Sequence, residues 1–453
     1  MKKKKKRNIS TTRKILCSFL LAILIGSILL SLPICSATGQ RVPYIDALFT
    51  ATTSICVTGL VTVPTYSTWS FWGQLIILIL IQIGGLGVIT IMSAIMIHLH
   101  KKMGLTDRML IQDAFNLSSL SGLVKFVKNV LKGTFLIESI GALLYMIVLV
   151  PAFGIRGVWL SVFNAISAFC NAGMDIIGAN SLTDFATSPI INFTTSFLVI
   201  TGGIGFIVWW DLLRVIKKFK THKFHCFKFL TLHSKIAISA TFILLFGGGF
   251  LFLLFEYNNP MTLASYSFFD KLQLAFFQSM TTRTAGFFTL PQENLTNASS
   301  FTALLLMFIG GSPVGTAGGI KTVTLAVILA ASISTVRQSE SVSLFHRNIP
   351  TGAVSKSIAV LCTSFVIAFA STLLLSVAVN ADSLSIVYES VSATATVGLS
   401  KNLTAYLNTW GKIIIIMTMY LGRVGPISLA IALNVQKSTQ NIIKNPTEEI
   451  SVG

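Results

Sequence analysis

Four glycine turns carry the residue types and spacing in this chain that best suggest chemistry. They read Cys56-Val57-Thr58-Gly59, Cys170-Asn171-Ala172-Gly173, Arg283-Thr284-Ala285-Gly286 and Ala395-Thr396-Val397-Gly398. Successive turn glycines lie 114, 113 and 112 residues apart, so four such units fill 453 residues. Similarity at a fixed period is the mark of a repeat architecture. The turns contain no carboxylate, whereas a dehydrating site for Ca²⁺ or Mg²⁺ would use acidic oxygens. What they offer is backbone. Rings of carbonyls can replace the hydration shell of a monovalent cation, and glycine reaches the dihedrals that aim carbonyls at an ion. A short helix ends at each turn, which puts a negative dipole end there, favourable to a cation. Thr396-Val397-Gly398 also matches the opening of the potassium-channel filter sequence Thr-Val-Gly-Tyr-Gly. The predicted cation-binding set is therefore Val57, Thr58, Gly59, Asn171, Ala172, Gly173, Thr284, Ala285, Gly286, Thr396, Val397 and Gly398.

The elements that position these turns belong in a membrane. Mean hydropathy is +0.78, and 11% of residues are charged, against about 25% in soluble domains. Several apolar runs reach the roughly 20 residues that a helix needs to cross the hydrocarbon core. The alternating segments of a β-barrel, about ten residues each, are absent from the sequence. The net charge of +19 is not a nucleic-acid signature, because 26 of the 34 Lys and Arg fall in segments 2–14, 101–132, 214–235, 337–356 and 437–444. These recur at every second predicted crossing. That is the positive-inside pattern, with the basic faces toward the cytosol and anionic lipid headgroups. Lys2–Arg7 and Ile15–Leu30 resemble a signal peptide, but Leu32-Pro33-Ile34-Cys35 is a poor lipoprotein box and the repeat phase calls for a membrane helix here. It is read as the first transmembrane helix.

Each repeat reads as an outer helix, a short re-entrant helix, the turn and an inner helix. Outer helices are predicted at about 15–32, 131–150, 234–255 and 356–379, short helices at about 44–55, 159–170, 271–282 and 384–395, and inner helices at about 70–98, 190–214, 300–335 and 409–434. Twelve helical residues span about 18 Å, too little to cross, so each turn returns to its own side. Two crossings per unit make the repeats parallel, related by an axis along the membrane normal. The expected fold is an all-α polytopic protein with eight transmembrane helices around a pseudo-fourfold pore, both termini being cytoplasmic. The segments are a basic N-terminus 1–14, repeat 1 at 15–98, loop plus repeat 2 at 99–214, loop plus repeat 3 at 215–335, loop plus repeat 4 at 336–434, and a tail 435–453.

The repeats differ in ways that suggest a gate. Inner helices carry Gly84-Gly85-Leu86-Gly87, Gly202-Gly203-Ile204-Gly205, Gly310-Gly311-Ser312-Pro313 and Gly422-Arg423-Val424-Gly425. Glycine here either lets helices pack closely or keeps a central path open. Residues 310–319 (Gly310, Gly311, Ser312, Pro313, Val314, Gly315, Thr316, Ala317, Gly318, Gly319) cannot form a stable helix, so the third inner helix is broken. The segment is a connecting loop or a flexible gate. Arg423 stands at a glycine position of its repeat, and an intramembrane charge usually faces a cavity. It is a barrier or a latch on 310–319, or else a structural partner of Glu138 or Asp175. Lys321 lines the inner vestibule or snorkels. Asp46, Arg283 and Glu389 are expected to support the filter through salt bridges rather than touch the ion.

These four motifs, in this order, resemble the potassium-transporting membrane subunits of Ktr systems, within the Trk/Ktr/HKT superfamily. The matching segments are 49–60, 167–173, 280–287 and 395–399, and the resemblance spans nearly the whole chain. It implies K⁺ uptake through a pore made by one subunit, a membrane homodimer, a cytosolic nucleotide-binding RCK-type ring resembling KtrA as regulator, and an intramembrane loop that obstructs the pore. It implies the plasma membrane of a bacterium. The chain starts directly with the first repeat, which favours Ktr over Trk-type relatives with extra N-terminal helices. In the family, serine at the first filter position goes with sodium transport, so Gly59 favours potassium. Met174 stands where phenylalanine is common, just past the carbonyl ring, where little effect is expected. Na⁺ as an activating or coupled ion is left open.

Other classes fit less well. A solute carrier with a midplane site needs paired broken helices, and the sequence indicates one. No Ser/His/Asp or Cys/His grouping, HExxH or GxxxxGK[ST] occurs, so neither catalysis nor a bound cofactor is expected, and nucleotide control would come through a partner docking on 99–130, 215–233 or 437–453. All six cysteines are read as reduced. His222, His225 and Cys226 lack a fourth ligand nearby and are a weak metal candidate.

Overall fold

The computed structural model describes residues 11–88, 90, 91, 93, 122–217, 227–339 and 341–425. The weak metal candidates His222, His225 and Cys226, most of loop 99–130, the end of the fourth inner helix and the tail lie outside the described residues.

The chain forms an all-α polytopic membrane fold. Its outer helices are Thr11–Leu30, Leu123–Phe153, Leu232–Glu256 and Thr351–Ala378. All four are long and apolar enough to cross a membrane. Their outward faces carry large apolar side chains at helical spacing, as with Phe242, Phe246, Phe250 and Leu254 of the third, which is how a lipid-facing stripe reads. The short helices are Tyr44–Cys56, Arg156–Phe169, Phe268–Thr281 and Ser383–Ala395. They are richer in hydroxyl residues, yet buried toward the turns: Thr50, Thr52, Thr53 and Ser54 of the first are all inside. Polar helices shielded by apolar ones place the polar groups along an interior path.

Local sequence fixes several helix starts. Ser70, Thr231, Ser267, Thr296, Asp382 and Asn408 each accept a hydrogen bond from a backbone N–H of the first turn, which satisfies one of the donors a helix leaves free.

The inner helices depart from expectation. The third is broken as predicted, into Asn297–Phe308 and Thr322–Val336. The second is broken too: Pro189–Gly203 and Phe206–Ile216 meet at a bend of 98°. The first, Phe71–Leu86, and the fourth, Thr409–Val424, stop at Gly87 and Gly425. Gly87, Gly205 and Gly425 have φ of 85°, 97° and 90°, outside the helical range and open chiefly to glycine. The last glycine of each Gly-x-x-Gly group is therefore a stop, which a packing or pore-widening reading of these glycines overlooks. A two-stranded hairpin pairs Ser343 with Asn348 and Leu344 with Arg347, in the segment between the third and fourth repeats.

Each outer helix packs on the short helix of its own repeat, and each inner helix on the short helix of the next. The fourth inner helix returns to the first short helix, so the order is cyclic. The first, second and fourth inner helices also lie against the short helix of their own repeat, where the first glycine of the inner group lets the backbones meet. A β-carbon on Gly84, Gly202 or Gly422 would lie 2.1, 2.0 or 2.1 Å from the carbonyl oxygen of Ile55, Phe169 or Thr394. Each of those residues sits four before a turn glycine, so the close-packing reading of these glycines describes the contact.

Candidate functional site

The four turns repeat one backbone conformation. Val57, Asn171, Thr284 and Thr396, each two residues before a turn glycine, have φ of 55°, 59°, 62° and 52°. Gly59, Gly173, Gly286 and Gly398 are also positive, and Thr58, Ala172, Ala285 and Val397 between them are not. Alternating handedness turns successive carbonyls to one side. Three of the four left-handed positions hold a β-branched residue, a rare and strained placement that persists where surroundings enforce it.

Hydroxyls from the short helices supply part of that enforcement. Thr53 Oγ1 accepts from Gly59 N at 3.0 Å and Ser392 Oγ from Gly398 N at 3.1 Å. Ser167 Oγ accepts from Met174 N at 3.2 Å and donates to Met174 O, and Thr281 Oγ1 donates to Phe287 O. These four hydroxyls escape a search for charged residues, although each stands five or six positions before its glycine.

The turns converge. A β-carbon on Gly59 would lie 2.6 Å from the Ala172 carbonyl oxygen; on Gly173, 2.7 Å from that of Ala285; on Gly286, 2.8 Å from that of Val397; on Gly398, 2.3 Å from that of Thr58. The cycle 59–173–286–398 closes on itself. Among the described residues no hydrogen bond reaches a carbonyl of Val57, Thr58, Gly59 or their counterparts in the other turns. Buried carbonyls are nearly always paired, so a ring of free ones is equipped to bind a cation. On one side the four glycines floor a cavity of about 350 Å³, also bordered by Asp175 and Glu293. Met174 is buried beside it, its sulfur accepting from Ser54 Oγ at 3.6 Å.

On the other side lies the 310–319 segment. Its neck is closed by Gly310 N to Ile320 O at 2.9 Å and Thr322 N to Gly311 O at 3.0 Å. The break in the second inner helix holds it: Ser312 N and Thr316 N donate to the carbonyls of Gly203 and Gly202, and Phe206 N to that of Val314. Backbone groups freed by one broken helix thus satisfy those of the other, the condition for irregular backbone at membrane depth. The loop touches three turns directly. Thr316 Oγ1 donates to Asn171 Oδ1 at 2.7 Å, Gly318 N to Thr284 Oγ1 at 3.2 Å, and Gly318 packs on the Thr396 side chain.

Three cations surround this loop. Arg423 donates to Thr316 O at 2.7 Å and Gly84 O at 2.6 Å. Pairing with Glu138 or Asp175 is not what it does; Glu138 accepts from Gln82 instead, at 3.3 Å. Lys321, partly exposed, folds back to the carbonyls of Ala317 at 2.5 Å and Gly318 at 3.4 Å. Arg283 reaches Gly310 O at 3.4 Å.

The expected salt bridges to Asp46, Arg283 and Glu389 hold for the first alone. Asp46 Oδ1 lies 2.6 Å from Lys412 Nζ and accepts from Thr62 Oγ1 at 2.8 Å. Glu389 accepts from Ser400 Oγ and Thr404 Oγ1, because the chain leaving the fourth turn brings hydroxyls to it while nearby Lys401 bonds Ser300. Among the described residues Arg283 makes no ion pair.

The chain is similar to known cation-transport proteins. The profile of the family described as "TrkH: Cation transport protein" matches residues 2–444. The chain is 38% identical to the potassium/sodium uptake protein NtpJ of Enterococcus hirae, covering 100% of this chain and 99% of that one. It is 40% identical to the Ktr system potassium uptake protein B of Bacillus subtilis, covering 96% and 95%. The crystal structure of the potassium transporter TrkH from Vibrio parahaemolyticus superposes with a TM-score of 0.75 over 96% of this chain and 87% of that one, at 17% identity.

Proposed function

The chain belongs to the TrkH family of cation transport proteins, and on that premise we propose that it takes up K⁺ through a pore on the axis of its four turns. It is a transport protein, not an enzyme, and a close relative of the Ktr-type and NtpJ uptake proteins. The observation that carries the reading is the closed cycle of Gly59, Gly173, Gly286 and Gly398, with its unbonded carbonyls. In this reading Val57, Thr58, Gly59 and their counterparts in the other turns form the selectivity filter. The short and inner helices, with the four outer ones, give eight transmembrane segments around a pseudo-fourfold pore.

The segment 310–319 is the gate. Its support is position, directly beneath three turns, and its carbonyls are held by Arg423, Lys321 and Arg283 rather than left for an ion. A cytosolic nucleotide-binding RCK-type ring releases it by acting on the adjoining half-helix Thr322–Val336. The working protein is a homodimer in a bacterial plasma membrane, both termini cytoplasmic, contacting lipid and no nucleic acid. Na⁺ activates or accompanies uptake; the Enterococcus hirae relative is a potassium/sodium uptake protein.

A solute-carrier reading gains from the second broken inner helix, since paired breaks build midplane sites. Helix ends recur at one position in every inner segment, and the space between the second and third is filled by the loop itself, so the pore is favoured. Expression in bacteria lacking K⁺ uptake tests the proposal, with growth at low K⁺ and rubidium influx with and without Na⁺. Rescue is expected, and deleting loop residues 312–318 should raise basal rubidium flux. No rescue in the presence of a cognate regulator would sink the K⁺ assignment, and an unchanged, still-gated flux in the folded deletion would sink the gate.

A further inference from the structure

Arg283 is a buried charge whose contacts do not account for it. It is 7% exposed, and among the described residues no carboxylate pairs with it. Its Nε has no hydrogen-bond partner. An uncompensated charge in apolar surroundings is among the costliest arrangements in a protein.

The side chain borders a cavity of about 10 Å³ whose walls are otherwise largely aliphatic, among them Val199, Ile200 and Leu245. Thr241, midway along the third outer helix, also borders it. A threonine inside a helix commonly gives its hydroxyl proton to the carbonyl one turn back, as Thr195, Thr302 and Thr363 do. Thr241 does not, and its buried Oγ1 has no partner. Two unpartnered donors therefore border one small apolar space.

A cavity of about this size holds one small particle, a water molecule or, with a slight outward shift of its aliphatic walls, one monatomic anion. A water could accept from both groups, but its own two hydrogens would find few acceptors on walls that are largely aliphatic. A monatomic anion accepts without donating and neutralises the guanidinium. We propose that the cavity is a site for a halide ion, chloride, held by Arg283 Nε–H and Thr241 Oγ–H. Gly311 of the loop is part of the same wall, so the ion sits where the third turn, the loop and the third outer helix meet. It cancels a positive charge three residues from Gly286, where repulsion of a passing cation would act at low dielectric. The site stands or falls independently of which cation the pore carries.

The full-length protein crystallised with bromide replacing chloride should give an anomalous peak between Thr241 and Arg283, and Thr241→Val should lose it. In solution the wild type should unfold about 2 °C higher in chloride than in gluconate, as expected for a ligand bound only by the folded state, and the near-isosteric Thr241→Val should not. A cavity holding only ordered water overturns the proposal. So does bromide density without any anion dependence of unfolding, which would mean binding at crystal concentration only.

Discussion

Lys412 Nζ lies 2.6 Å from Asp46 Oδ1, although the two residues are 366 positions apart. One is on the fourth inner helix and the other on the first short helix, so the pair closes the ring of repeats between its last and first members. Their side chains are 16% and 8% exposed. Asp46→Ala would leave a largely desolvated ammonium without its counter-charge, which costs on the order of 3 kcal/mol. Thermal unfolding of the solubilised protein should record that loss. The Asp46→Ala/Lys412→Ala double variant should be clearly more stable than the sum of the single losses, since a shared interaction is lost once. Additive losses would remove the pair from ring closure.

Gly59→Ser should lower selectivity for K⁺ over Na⁺ by roughly tenfold, or about 1.4 kcal/mol of differential barrier. Gly59 has φ of 96°, and any β-carbon there meets the Ala172 carbonyl oxygen at 2.6 Å. The side chain must displace a carbonyl of the neighbouring turn. Competition of Na⁺ with rubidium influx reads the ratio, and unaltered competition would take this turn out of the filter.

Arg423→Ala should raise basal rubidium flux by about an order of magnitude, the equivalent of one hydrogen bond to a charged group. The guanidinium ties Thr316 of the loop to Gly84 of the first inner helix. Arg423→Lys should fall between, because a single ammonium cannot present the same planar fork. A drop in flux in well-folded Arg423→Ala would contradict the latch.

Asp175 borders the cavity above the turns, and burial holds its carboxyl up at about 6. Above that pH its negative charge raises the local concentration of cations; below it the charge is lost. The apparent KM for rubidium should rise about twofold as external pH falls through 6, an effect of field rather than contact. Asp175→Asn should fix KM at its low-pH value. Because the folded-state pKa is raised, this group favours folding more as pH falls through the same range, so a loss of affinity there cannot be assigned to Asp175-driven unfolding. A KM that does not depend on pH in the wild type would exclude this role.

Much of the chain was legible from local pattern. The short helices end within one residue of their predicted C-terminal ends because a turn of small residues, closing on a glycine three to five residues on, stops a helix wherever it stands. The third inner helix had to break at 310–319, since five glycines and a proline in ten residues leave too little helix propensity in any context. The break at Gly205 was less visible. Gly202-Gly203-Ile204-Gly205 is compatible with a straight packed helix, and what bends it is the loop, whose N–H groups take the carbonyls of Gly202 and Gly203.

By itself the sequence determined the four-unit periodicity, the membrane setting, the position of each turn and the glycines those turns require. These are properties of runs of a few to twenty residues, and hydrophobic periodicity and backbone sterics act at that range. Tertiary structure alone decided which inner helix leans on which short helix, that Lys412 finds Asp46, that Arg423 finds two carbonyls rather than a carboxylate, and that Arg283 is left beside Thr241. Those outcomes depend on closing four similar units into one ring. A buried polar group then takes whatever partner the closure brings within 3 Å, and no spacing along the chain encodes that distance.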